Sequence, residues 1–198
     1  MLSAIEAFRE NIQRVQSLGV IYQALSASAT ITIDSSDLLR AQVVLAVSAL
    51  DHYVHEAARL GMLEIFDGNR LASAAYRRFR VSLECVKGDY TIGRSDLESE
   101  IRVQHGFLAF QHPDKIADAI RYFSDIKLWQ ILGEKLAMEP NAIKQQLRLC
   151  IERRNKIAHE ADLDPTYPRA RWPISVADVN GVIDFISKLV EAIHLSVS

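Results

Sequence analysis

The sequence predicts an all-α fold, a helical bundle formed as a single domain over residues 1–198, on three observations. Apolar residues recur at steps of three and four along most of the chain, the spacing that lines one face of a helix. Alternating β-branched runs bounded by turn residues, which would mark strands, barely occur. Hydrophobic residues make up 49% and charged residues 24%, an ordinary balance for a chain that folds around one core.

Taken in order, a first helix is expected near Leu2 to Leu25, and the strand-like Ala29-Thr30-Ile31-Thr32-Ile33 reads better as a loop. A long second helix runs from about Asp37 to Phe66, where Val43, Val47, Leu50, Val54 and Ala57 form a stripe that must face a core. Asp67-Gly68-Asn69 supplies a turn, and helical patterning resumes through Leu71 to Val86 before Gly88 and Gly93 bracket a break. Ser95 with Glu98 resembles a capping box that opens the next helix. Residues from about Gly88 to Pro113 are expected to form a loop-rich helical insertion. Pro113 and Pro140 both suit the first turn of a helix, where the missing N–H would lack a partner anyway. The helix after Pro140 carries Ile143, Leu147, Cys150, Arg154 and Ile157 on one face, so a guanidinium lies in line with apolar residues. Leu163 to Pro173, holding Pro165, Pro168 and Pro173, is predicted to be an ordered loop. Ser175 and Asp178 then cap a last helix whose stripe is Val179, Ile183, Ile186, Val190 and Ile193.

Charge and composition exclude several classes. A formal net charge of −2 argues against a protein coated in positive potential, so any nucleic-acid contact must be local. Basic residues cluster at Arg77, Arg78 and Arg80 and again at Arg148, Arg153, Arg154, Lys156, Arg169 and Arg171, a pattern that solvated helix faces also produce. No apolar run approaches a bilayer-spanning length, and Met1 to Gln13 mixes Glu6, Arg9 and Glu10 among its apolar positions, which predicts neither signal peptide nor membrane anchor. Cys85 and Cys150, in apolar helical contexts, read as reduced core cysteines of a cytoplasmic protein.

Near the end of the helix after Pro140 stands Arg154-Asn155-Lys156-Ile157-Ala158-His159. Cleaving a phosphodiester without a metal requires a proton carrier that titrates near neutrality and a fixed cation for the charge developing on phosphorus. Histidine and arginine suit those two jobs. Five residues rotate Arg154 from His159 by about 140° on an ideal helix, so the two converge only if the helix ends there, the arginine bends, or a second copy of the motif faces the first. Asn155, four residues before His159, shares its face. A helix end just after His159 would favour the imidazolium through the C-terminal dipole.

The C-terminal half resembles the HEPN domains, in particular the RiboL-PSP-HEPN branch. The matching features are Asp125-Ile126-Lys127-Leu128-Trp129 leading to Gly133, then Arg153 through Glu160 with Asp162 behind, then Arg171 with Pro173-Ile174 before the last helix. Ser48-Ala49-Leu50-Asp51-His52-Tyr53 resembles the family's helix that places an acidic residue beside the motif. The resemblance implies a HEPN-like helical bundle that dimerises so that two Arg-x4-His motifs line one cleft. It also implies a metal-independent endoribonuclease, without cofactor, in a toxin, phage-defence or RNA-processing system. It casts His159 as acid or base, Arg154 as phosphate binder, Asn155 as its neighbour and Asp51 as the carboxylate orienting Arg154. Arg153, Lys156 and Arg171 are then the expected RNA contacts. RNA, a second copy of the chain and a regulatory partner protein are the expected partners. The HEPN toxins neutralised by a nucleotidyltransferase carry a tyrosine two positions after the histidine, where this chain has Ala161, so that route of regulation is not implied.

A metal site at His52, His55 and Glu56 is a weaker reading, because the His-Glu-x-x-His signature is absent and Tyr53 and Val54 read as packing residues. No Gly-rich phosphate loop, nucleophile elbow or Cys-x-x-Cys pair occurs. The competing function is a non-catalytic HEPN-like dimer that binds RNA or a partner protein, since a helical bundle does not by itself decide activity.

Overall fold

The computed structural model describes residues 1–28, 34–86, 88, 91–167 and 170–198. The expected loop at 29–33 lies outside the described residues, as do Pro168 and Arg169. Among those described there are seven α-helices and no strand: α1 (Leu2–Ser26), α2 (Ser36–Phe66), α3 (Arg94–His105), α4 (Pro113–Arg121), α5 (Leu128–Leu136), α6 (Pro140–His159) and α7 (Val176–Val197). The predicted all-α architecture is the one observed.

α2 is the spine. Its stripe from Leu39 through Val43, Val47, Leu50 and Val54 to Ala58 is buried, and α1, α6 and α7 pack around it. α1 lies antiparallel to α2, since the Met1 amine reaches Glu64 (3.1 Å), Phe8 meets Tyr53 edge-on and Gln42 donates to the Val15 carbonyl (2.9 Å). On α7 the predicted stripe Val179, Ile183, Ile186, Val190 and Ile193 is buried in the same core. Its capping box forms as expected, with Ser175 Oγ accepting from the Asp178 amide and Asp178 accepting from the Ser175 amide. Pro113 and Pro140 occupy the first turns of α4 and α6.

The middle of the chain departs from expectation in two places. Residues 71–86 are not helical beyond two single 3-10 turns at Tyr76–Arg78 and Leu83–Cys85. Leu71 and Leu83 stay about nine-tenths exposed, so no buried stripe offsets the cost of nucleating a helix. The Ser73 hydroxyl also competes for the backbone, accepting from the Tyr76 amide and donating to the Tyr122 carbonyl. Second, α3 starts at Arg94 behind Gly93, with no side-chain cap. Glu98, expected to close a capping box with Ser95, instead accepts from Arg59 (2.8 Å) and Arg102 (3.2 Å). The segment expected as a loop-rich helical insertion holds one helix, α3. Leu97 and Ile101 of α3 bury themselves against Met62 and Leu63 at the end of α2, a small second core edged by Phe79 and Tyr122.

Cys150 is buried on α6, but Cys85 sits half-buried in a 3-10 turn rather than in a helix core, its Sγ against Glu100 (3.1 Å). Both cysteines are free. No helix among the described residues is long and apolar enough to cross a membrane.

Candidate active site

α6 delivers the Arg-x4-His motif. Ile143, Leu147, Cys150 and Ile151 anchor its first three turns in the core, and burial at Cys150 pushes its thiol up to about 11, so it stays protonated. Beyond Ile151 no residue of the helix is fully buried, though Ile157 still packs half-buried against the core. Arg154 and Asn155 are half-buried, and His159, the last helical residue, is exposed. The Arg154 guanidinium donates to Asn155 Oδ1 (2.9 Å). Among the described residues no carboxylate pairs with Arg154, and no contact joins it to His159. The chain therefore presents a guanidinium with no carboxylate partner among the described residues and an exposed imidazole, with no hydrogen bond between the two.

The turn after α6 is unusual. Ala161 and Asp162 both adopt the left-handed region, with φ of 51° and 58°, which non-glycine residues seldom enter. This reverses the chain at once, so that the Glu160 and Asp162 amides both reach back to the Lys156 carbonyl (3.0 and 2.9 Å). The Asp162 side chain is fully buried between two arginines. Arg40 Nε lies 2.7 Å from Oδ2, and Arg153 lies 2.7 Å from Oδ1 and 2.9 Å from Oδ2. Arg40 also donates to the Trp172 carbonyl (2.9 Å) and to Ser36 Oγ (2.7 Å), while Arg153 reaches the Pro173 carbonyl (3.1 Å). The loop between α6 and α7 is thus tied down at its base. Trp172 N donates to the Asp162 carbonyl, Leu163 and Arg171 form an antiparallel bridge, and Thr166 donates its amide to the Asp164 side chain. The ordered loop expected from its prolines is present over the described residues.

The three cations expected to contact RNA each have a partner inside the chain. Arg153 holds Asp162, Lys156 stacks over the Trp172 ring (5.1 Å) and Arg171 pairs with Asp37. Asp51 lies elsewhere. Its carboxylate accepts from the Phe110 amide (2.5 Å) and faces His55 (3.8 Å). Asp51 follows Arg40 by eleven residues on one helix, about 16 Å along its axis, and it is Arg40 that meets the end of α6. Within one chain, therefore, the structure brings Arg154, Asn155 and His159 to one helix end and keeps Asp51 about three turns away.

Arg40, Asp162 and Trp172 were not foreseen as parts of this site. A signal existed for Arg40, which falls in line with Val43 and Val47 on the stripe that had to be buried, the same anomaly that singles out Arg154 on α6. Of the residues considered for a metal, Glu56 is committed to Arg59, and no cluster of three histidine, cysteine or acidic side chains among the described residues is arranged to hold an ion.

Compared with known protein families, residues 9–198 match the RiboL-PSP-HEPN family. The chain belongs to the RiboL-PSP-HEPN family. No curated protein and no solved structure matches it. The match spans the whole bundle, from α1 to α7, so the end of α6 and the clamped loop behind it lie inside the HEPN domain rather than on an appendage. A nuclease-type or RNA-related function is what membership of this HEPN family supports.

Proposed function

We propose that this protein is a metal-independent endoribonuclease that acts as a homodimer through Arg154 and His159. The observation that carries the reading is the difference between two neighbouring arginines. Arg153 is neutralised by a buried carboxylate, whereas Arg154, one position on, is left with an amide partner alone and so keeps its charge for a phosphate. Asn155 fixes the Arg154 guanidinium, and His159 moves protons. In the reaction the ribose 2′-oxygen forms a bond to phosphorus as its proton passes to one imidazole. The bond from phosphorus to the 5′-oxygen breaks as that oxygen takes a proton from a second imidazole, supplied by the partner protomer. Arg154 stabilises the charge on the non-bridging oxygens, and the products are a 2′,3′-cyclic phosphate and a 5′-hydroxyl; a 3′ phosphate follows only when water then adds to phosphorus and the bond to the 2′-oxygen breaks, the 2′-oxygen taking back a proton. We place the activity in the cytoplasm, in a toxin, phage-defence or RNA-processing setting.

The test is incubation of the purified protein with total RNA, with and without chelator. Cleavage that resists chelation is expected. Cleavage abolished by chelator and restored by a divalent ion would overturn the metal-independent mechanism.

A further inference from the structure

We infer that Asp162 is a positioning residue for His159, an inference that rests on the proposed ribonuclease reading. Its carboxylate, clamped between Arg40 of α2 and Arg153 of α6, sets where α6 ends and therefore where the imidazole stands. The clamp joins three parts of the molecule, α2, α6 and the loop that follows α6, at one residue. Through its side chain Asp162 holds α2 and α6. Through its amide it closes on the Lys156 carbonyl, and through its own carbonyl it receives Trp172 of the returning loop. His159 lies inside the turn that these bonds frame, between Lys156, whose carbonyl takes two amides, and Asp162, which supplies one of them.

General stabilisation does not account for a charge at this place. Burying a carboxylate and two guanidiniums carries a desolvation cost that well-packed apolar side chains avoid, and ion groups of this kind can often be replaced by hydrophobic residues without loss of stability. Charge adds geometry. Arg40 and Arg153 each donate to Asp162 Oδ2, and the two guanidiniums also donate to Ser36 and to the Trp172 and Pro173 carbonyls, so the carboxylate is held in direction as well as in distance, which apolar packing does less well. The left-handed pair Ala161 and Asp162 points the same way, because strained backbone persists only where its surroundings over-determine it. Aspartate is among the few residues that enter this region readily, so Asp162 suits both the backbone and the clamp.

The experiment compares full-length wild type with Asp162→Asn, which keeps the shape and removes the charge. Three readouts are taken: amide hydrogen exchange, the ring signals of His159 by NMR, and kcat and KM for RNA cleavage. Exchange is expected to quicken at residues 157–162 and to stay unchanged along α1 and the middle of α2. The His159 signals should move, and kcat should fall about tenfold to a hundredfold, the scale of a displacement near 1 Å, while KM changes less than about twofold. An unchanged kcat, or a raised KM with kcat intact, overturns the inference. Should Asp162→Asn fail to fold, Arg40→Lys keeps a charge beside Asp162 but gives up the fork that also reaches Trp172 and Ser36. It should show the same pattern in smaller measure, and wild-type exchange and kcat in that variant would overturn the inference. If the wild type cuts no RNA, the functional reading fails by itself. Exchange at 157–162 and the His159 signals then still decide whether Asp162 positions that ring.

Discussion

His159 and Arg154 differ in what their loss should do. His159 is exposed at a helix end and has no partner among the described residues, so His159→Ala should leave stability within about 0.5 kcal/mol of wild type. In the proposed mechanism its proton transfer has no substitute, and cleavage should fall at least about a hundredfold. Arg154→Ala should cost a similar factor in rate. The absence of an ion pair to a carboxylate limits its structural cost to the packing of a half-buried stem. Rate and thermal midpoint measured on the same preparations check both, and a His159→Ala protein that unfolds would show that the imidazole is structural. Attack by the ribose hydroxyl carries its own test. An RNA with a single deoxyribose at the cleaved position should remain whole, and cutting there at the normal rate would refute the mechanism. At this scale the sequence carried the motif but not its support. Arg154 and His159 are neighbours in one helix, whereas Arg40 and Asp162 are 122 positions apart and meet only because α2 and α6 pack together.

Single elements titrate as well as pack. His105, the last residue of α3, is 3% exposed and enclosed by the rings of Phe79, Phe110 and Tyr122, and burial pulls its pKa down from 6.5 to about 4. The unfolded chain therefore takes up this proton first, and the contribution of the neutral ring to stability is whole above pH 6.5 and is lost as the pH falls towards 4. His194, lowered chiefly by burial, adds to the loss with the same sign. Carboxylates held low by arginines, such as Glu56 and Glu191, begin to contribute only below their ordinary range near 4.5. Replacing His105 with Phe should thus flatten the fall in urea midpoint between pH 7 and pH 5. An unaltered fall would mean that the ring is hydrated or protonated in the native state. The elements most legible in the sequence were α6 and α7, because a proline or a capping box opened each and a continuous buried stripe followed. Residues 71–86 misled because their apolar spacing, the same signal, meets solvent at Leu71 and Leu83. Periodicity marks a face that could be buried, and whether a partner surface exists is decided by distant parts of the chain.

For the whole molecule, the geometry of a single chain makes the oligomeric state a chemical question. No hydrogen bond joins Arg154 to His159 within the chain, the five-residue spacing turns them apart on an ideal helix, and one imidazole cannot stand on both sides of a phosphate at once. A two-fold axis near the end of α6 would resolve both problems, because a patch close to such an axis necessarily meets its own copy. In-line transfer then has one His159 to accept the 2′-hydroxyl proton and a second to donate to the leaving oxygen, with two Arg154 guanidiniums between them. Light scattering at micromolar concentration should give about twice the 22.3 kDa chain mass, and specific activity should fall when the protein is diluted through the dimer's dissociation constant. Mixing sharpens the test. An excess of His159→Ala protein, folded and able to pair, should draw wild-type chains into mixed dimers that lack one imidazole, and so depress activity by more than the loss of wild-type homodimer at the same dilution without it. If the wild-type rate is indifferent to both dilution and the added variant, each chain carries a complete site, and the composite arrangement is wrong.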